Sequence, residues 1–139
     1  IKYSKKVAMT LSDKFCVDRH RVNFLELVRN KLDITFANEQ EMISLIEAKN
    51  FEDVITFAKQ IKKLMVITRG EKGAIAIFGE KTIEVGVKKN LNIIDLTGAG
   101  DLFAAGFLHG YINGLPTKDS LEKGTELSSK IIQKMGARL

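Results

Sequence analysis

The chain has 139 residues, 45% of them hydrophobic and 28% charged, which suits one domain with a sizeable core. Its 22 Lys+Arg against 17 Asp+Glu leave a net charge of +5, yet the basic residues are scattered and do not interleave with base-stacking aromatics, so nucleic acid is not expected as a partner. A single cysteine, Cys16, excludes an intrachain disulfide framework; with no membrane-length apolar run and no secretory leader, a cytoplasmic protein without a membrane partner is expected.

The chain opens at Ile1 without an initiator methionine, directly before a strand-like run, and reads as a piece beginning between two elements of a longer protein. Val7–Leu11 is predicted as a buried strand ending at Ser12–Asp13, followed by a loop over Ser12–His20. Residues 19–30 place Val22, Leu25, Leu27 and Val28 largely on one helical face. Asp33–Ala37 is a second strand. Asn38 with Glu41 three positions later makes a capping box opening a helix over Glu39–Lys49, and Asn50 caps another over residues 51–62.

Leu64–Thr68 is β-favouring, and Arg69–Gly73 is a tight turn into a strand at Ala74–Phe78. Lys81–Val87 alternates polar and apolar residues, as a half-buried antiparallel strand does. Asn92–Ile94 is a short strand entering a glycine-rich loop. Helices are predicted over Ala99–Asn113 and Thr117–Met135, separated by Gly114-Leu115-Pro116. Strands alternating with helices and then a hairpin indicate an α/β three-layer domain with a mostly parallel sheet. Ligands gather where strands of such sheets end.

The chemistry concentrates in Asp95-Leu96-Thr97-Gly98-Ala99-Gly100-Asp101. Gly98 and Gly100 permit backbone conformations denied to other residues and let the chain approach an anion closely. Their amides, with those of Ala99 and Asp101, lie where a helix begins, and unpaired N–H groups and the dipole there favour phosphate oxygens. Asp101 falls in the first helical turn, placed to face a hydroxyl opposite a phosphate. A carboxylate is too weak a base to deprotonate an alcohol beforehand, so its role is to orient the hydroxyl and accept the proton late. Glycines at 106 and 110 are expected to let this helix pack closely on its neighbour. Cys16, His20 and His109 read as a buried thiol and as capping or surface histidines rather than as chemistry.

Asp95-Leu96-Thr97-Gly98-Ala99-Gly100-Asp101-Leu102-Phe103-Ala104-Ala105-Gly106-Phe107 closely resembles the signature of the ribokinase (PfkB-type) family of carbohydrate and nucleoside kinases, Asp-Thr-Thr-Gly-Ala-Gly-Asp-x-Phe-x-x-Gly-Phe, departing at Leu96. The resemblance implies a ribokinase-like fold, ATP and Mg2+ as cofactors, Asp101 as catalytic base and Gly98, Ala99 and Gly100 as an anion hole. Asn38 and Glu41 resemble the family's Asn-x-x-Glu motif, which places phosphate and magnesium largely through water. Thr68, Gly70 and Gly73 resemble its nucleotide-binding Thr-x-Gly-x-x-Gly turn, and Gly136 the glycine bordering the adenine pocket. Asp95 is either a ligand of a monovalent cation such as K+ or a brace of the loop.

The run Ser12–Arg21 looks like a segment of bacterial adenosine-kinase-like members, as do Phe36-Ala37-Asn38-Glu39 and Thr68-Arg69-Gly70-Glu71-Lys72-Gly73. The resemblance covers the C-terminal part of the family pattern, residues 1–139 forming one nucleotide-binding domain; the substrate-binding part and lid are expected upstream, and the piece alone is expected to be inactive. The implied substrate is a small nucleoside or sugar carrying a primary hydroxyl, adenosine first and a ribose- or fructose-type sugar second. A non-catalytic nucleotide-binding regulatory member is the alternative, and a homodimer is left open.

Overall fold

The computed structural model describes residues 6–11, 14–86 and 99–131. Strands β1 (Ala8–Thr10), β2 (Ile34–Asn38), β3 (Leu64–Thr68), β4 (Ala74–Phe78) and β5 (Lys81–Val85) form a five-stranded sheet in chain order. β1 pairs parallel with β2, and β2 with β3, in a register that sets Ile34 against Leu64 and Asn38 against Thr68. β4 and β5 are joined by the two-residue turn Gly79-Glu80, a connection only antiparallel strands accept. The sheet is therefore mixed, with parallel strands followed by the expected hairpin.

The first four residues of β2, β3 and β4 are all buried, as interior strands covered on both faces must be. β5 buries Val85, half-buries Ile83 and exposes Lys81, Thr82 and Glu84. β1 corrects an expectation: Ala8 is exposed and only Leu11, just beyond the strand, is fully buried. It stands at the end of the strand order, so among the described residues it has a strand neighbour on one side only.

The chain divides into two compact units, Ile1–Thr68 with Ala76–Thr82 and Arg69–Ile75 with Ile83–Leu139. In the first, residues 14–19 are not a loop but helix α1 (Lys14–Arg19), of which Val17 alone is buried, too little for an amphipathic period to show. Helix α2 (Arg21–Glu26) continues into one wide π-type turn over Leu27–Lys31, closed by the Leu32 N–H donating to the Leu27 carbonyl at 2.8 Å. The expected apolar face forms only in part, with Leu25 and Leu27 half-buried. Val28 is fully buried while Val22 is 78% exposed, because a six-residue helix followed by a wide turn keeps no constant phase.

Helix α3 (Glu39–Ile46) starts at the predicted capping box and ends three residues early, at Glu47 with φ 52. Helix α4 (Phe51–Ile61) is capped by the Asn50 side chain, which accepts from the Asp53 amide. It buries Phe51, Val54, Phe57 and Ala58, the spacing of one helical face. α3 packs against α1, α2, α4 and β2.

The second unit holds helices α5 (Ala99–Ile112) and α6 (Thr117–Ile131), packed on each other. α5 buries Phe103, Gly106, Phe107 and Gly110 at the i, i+3, i+4, i+7 spacing of a helix stripe. A Cβ at Gly106 would stand 2.7 Å from the Lys123 carbonyl oxygen, and one at Gly124 would stand 2.7 Å from that of Phe103. The side chain of buried Ser120 lies over Gly110. The close approach foreseen from Gly106 and Gly110 is thus real, and Gly124 supplies its other half.

Gly106→Ala therefore sets two effects against each other. Alanine favours a helix by about 1 kcal/mol, but the new methyl meets rigid backbone and must drive the helices apart. Overpacking of this kind costs about 1–3 kcal/mol, and it wins. Denaturant unfolding should give a net loss of stability; a gain would show that the helix pair can separate freely.

Candidate active site

In the first unit the parallel register decides what meets. Asn38 ends β2 and Thr68 ends β3, and the two are direct partners at the carboxyl ends of these strands. Asn38 is also the N-cap of α3: its side chain accepts the Glu41 N–H at 2.7 Å, and the Glu41 Oε1 accepts the Asn38 N–H at 2.9 Å. Both halves of the capping box form. Glu41 is 5% exposed, and the box fixes its carboxylate against the strand end. A carboxylate offers about four acceptor sites over its two oxygens. The capping bond from the Asn38 N–H falls on Oε1.

In the second unit the turn after β3 is a single 3-10 turn over Gly70–Lys72. The Arg69 N–H donates to the Gly73 carbonyl at 2.7 Å and the Gly73 N–H to the Gly70 carbonyl at 3.1 Å. Gly70 has φ 57 and Gly73 φ 93, both left-handed conformations that favour glycine. A Cβ at Gly73 would fall 1.9 Å from the Val85 carbonyl oxygen. The turn is thus shaped by its own backbone bonds and by the close passage of β5.

The first turn of α5 carries Ala99, half-buried, and Gly100 and Asp101, both exposed. The first four amides of any α-helix lack an intrahelical acceptor. Gly100 modifies the expectation made for it. Its φ is not among the positive values, and a Cβ there would meet nothing within 4 Å. Among the described residues, neither conformation nor packing requires glycine at this position. What a missing side chain does leave is backbone N–H groups open to close approach.

Three residues singled out in the sequence, Asp95, Gly98 and Gly136, lie outside the described residues, as does the predicted strand at Asn92–Ile94. Cys16 is half-buried in α1. His20 is exposed at the N-cap position of α2, makes no side-chain cap bond, and meets the Phe24 ring edge-on with centroids 6.4 Å apart. His109 is exposed, and its carbonyl accepts from the Asn113 side chain. Among the described residues no group of three or more His, Cys, Asp or Glu gathers as a metal cage, and no helix is long and apolar enough to cross a membrane.

One cluster near the site escaped the sequence reading. Arg21, at the start of α2, reaches the last turn of α3, where its Nε–H donates to the Ser44 carbonyl at 3.1 Å and its Nη1 lies 2.7 Å from the Glu47 Oε1. The Ser44 hydroxyl donates to Asp18. These partners are more than twenty residues apart in sequence, and no local pattern signals them.

The pattern that defines the pfkB family of carbohydrate kinases matches residues 2–139. The chain is similar to a probable sugar kinase from Rhizobium etli CFN 42, at 40% identity and a TM-score of 0.94, over 99% of this chain and 42% of that one. It is similar also to the adenosine kinase of Sinorhizobium meliloti, at 39% identity and a TM-score of 0.92, over 96% of this chain and 41% of that one. It is 34% identical to the cytidine kinase of Thermococcus kodakarensis over 118 residues, 84% of this chain and 42% of that protein. The chain thus spans about two fifths of the length of these relatives. With the strand-end Asn38–Thr68 pair, the glycine turn and the α5 start in a fold of this type, the chain belongs to the pfkB family of carbohydrate kinases, with a ribokinase-like α/β fold.

Proposed function

We propose that the protein containing this chain is an ATP-dependent phosphotransferase acting on a primary hydroxyl of a nucleoside or sugar, adenosine first and a ribose- or fructose-type sugar second. The chain supplies the nucleotide and catalytic end of the site, and by itself transfers little or no phosphate. Family membership and the likeness to kinases of adenosine, cytidine and sugars support this reading. The observation that carries it is Gly100, a glycine in a helix first turn where, among the described residues, an added Cβ would meet nothing within 4 Å.

The residues present suit the nucleotide and its metal. The N–H groups of Ala99 and Gly100, together with those of Gly98, would receive phosphate oxygens at the positive end of α5. Thr68, Gly70, Gly73 and Gly136 would hold the nucleotide, with Asn38 beside its phosphates. Glu41 would reach Mg2+ through water, in keeping with that ion's habit of retaining waters and using few carboxylates. Asp95 would hold K+ where a monovalent cation takes part. Bound Mg2+ would neutralise charge on the phosphate oxygens. The Asp101 carboxylate orients the acceptor hydroxyl and takes its proton as the new oxygen–phosphorus bond forms.

Phosphorylation assays of the full-length protein against adenosine, cytidine, ribose and fructose test the substrate class; phosphate transfer to none of them would sink the reading. Gly100→Ala tests the anion cradle. Fold stability should hold or rise by up to about 1 kcal/mol, while kcat/KM falls at least about tenfold as a methyl enters the phosphate path. Unchanged kinetics in a stable variant would leave Gly100 without the role assigned to it.

A further inference from the structure

Helix α3 carries Asn38 at its N-cap and Glu41 in its first turn, yet it has only eight residues. A helix this short does not hold itself in water, so its axis and rotation are set by what it packs on. Its buried apolar side chains, Met42 and Leu45, give adhesion without direction. The capping box ties the first turn to the end of β2, and the rotation of the last turn is held at the opposite end. The Arg21 guanidinium holds the Ser44 carbonyl and the Glu47 carboxylate at once, with its Nη2 3.8 Å from the Asp18 carboxylate that receives the Ser44 hydroxyl.

Ser44 and Glu41 are three residues apart and so lie on one face of the helix. A rotation of α3 that displaces Ser44 displaces the Glu41 carboxylate with it. We infer that Arg21 is a positioning residue for the nucleotide–magnesium site: it fixes the rotation of α3 and thereby the place of Glu41 and Asn38. The inference rests on the phosphotransferase reading for its consequence, but not for its structural content.

This role differs from a merely stabilising one. The Arg21, Asp18 and Glu47 side chains are 34%, 43% and 68% exposed, and pairs in such settings contribute little to stability. A displaced carboxylate near a metal, in contrast, costs affinity directly; groups that orient metal ligands typically account for about 10- to 100-fold. Arg21 acts one helix turn further away, so a smaller effect is expected.

The test uses Arg21→Ala in the full-length protein, read by Mg2+ titration in the presence of ADP and by amide hydrogen exchange. Mg2+ affinity should weaken about threefold to tenfold. Exchange should quicken at the Asn38 and Glu41 amides, the two backbone donors of the capping box, at the far end of α3 from the substitution. Arg21→Lys keeps the charge but cannot reach both acceptors, and should restore part of each effect. Lys130→Ala breaks the comparably exposed Lys130–Glu126 pair on α6 and should change neither.

Faster exchange confined to residues 44–47, with Mg2+ affinity unaltered, would overturn the inference. So would an equal effect from Lys130→Ala. A wild-type protein that binds no Mg·ADP and phosphorylates nothing strikes the proposed function instead; exchange at the Asn38 and Glu41 amides then still decides whether Arg21 sets α3.

Discussion

Asp101→Asn in the full-length protein should lower turnover by about 100- to 10,000-fold, the span that a positioned proton acceptor contributes, with ATP affinity nearly unchanged. Asparagine has the shape of aspartate but cannot take a proton at neutral pH. Asp101 is exposed in the first turn of α5, so the substitution empties no core volume. Its structural cost is limited to the favourable meeting of a carboxylate with a helix N-terminus, about 0.3–1 kcal/mol. The proposed chemistry and the fold therefore separate cleanly. Steady-state kinetics with an ATP-binding titration check both halves, and a variant keeping more than about a tenth of its rate would remove Asp101 from the base role.

The second large effect is on stability. Gly73→Ala should destabilise the protein by about 3 kcal/mol or more, through two additive causes. Gly73 sits at φ 93 and ψ −138, a region where a side chain costs about 1–3 kcal/mol. The added Cβ would also stand 1.9 Å from the Val85 carbonyl oxygen and 2.9 Å from the Gly86 Cα, backbone atoms that cannot swing aside. The turn would have to open, with loss of the 2.7 Å bond from the Arg69 N–H to the Gly73 carbonyl.

Gly70→Ala is the internal control. Gly70 also has a positive φ, 57, but a Cβ there meets nothing within 4 Å. It should cost only the left-handed penalty, about 1–2 kcal/mol. Denaturant unfolding of the two variants gives the comparison directly. Equal losses would mean that the β5 backbone yields, and that backbone conformation alone selects glycine at this turn.

The sequence was most legible where local chemistry decides structure. Asn38 and Glu41 announced a capping box because both of its bonds lie within four residues, and both form. β3 and β4 fall where their apolar runs begin and end. The helix after the glycine loop begins at Ala99 as expected, and the Asp95–Phe107 wording pointed to the family to which the chain belongs. The α1–α2 segment was less legible. Its buried residues are few, its helices short and its last turn wide, so no period could accumulate; Phe15 and Val22 end up exposed although their side chains are apolar.

By itself, then, the sequence determined the strands β2 to β4, the N-caps of α3 and α4, the family and the glycines and acidic residues to test, all of which follow from patterns within one or two turns of chain. Only the tertiary structure decided that Asn38 faces Thr68, since register is a property of two strands pairing. It alone separated Gly73, shut in by the Val85 carbonyl, from Gly70 and Gly100, where a methyl meets nothing within 4 Å among the described residues. It alone tied Arg21 to the far end of α3, by contacts between side chains and backbone more than twenty residues apart. A glycine in a sequence says only that a side chain is missing there; the neighbours that the fold brings up say why.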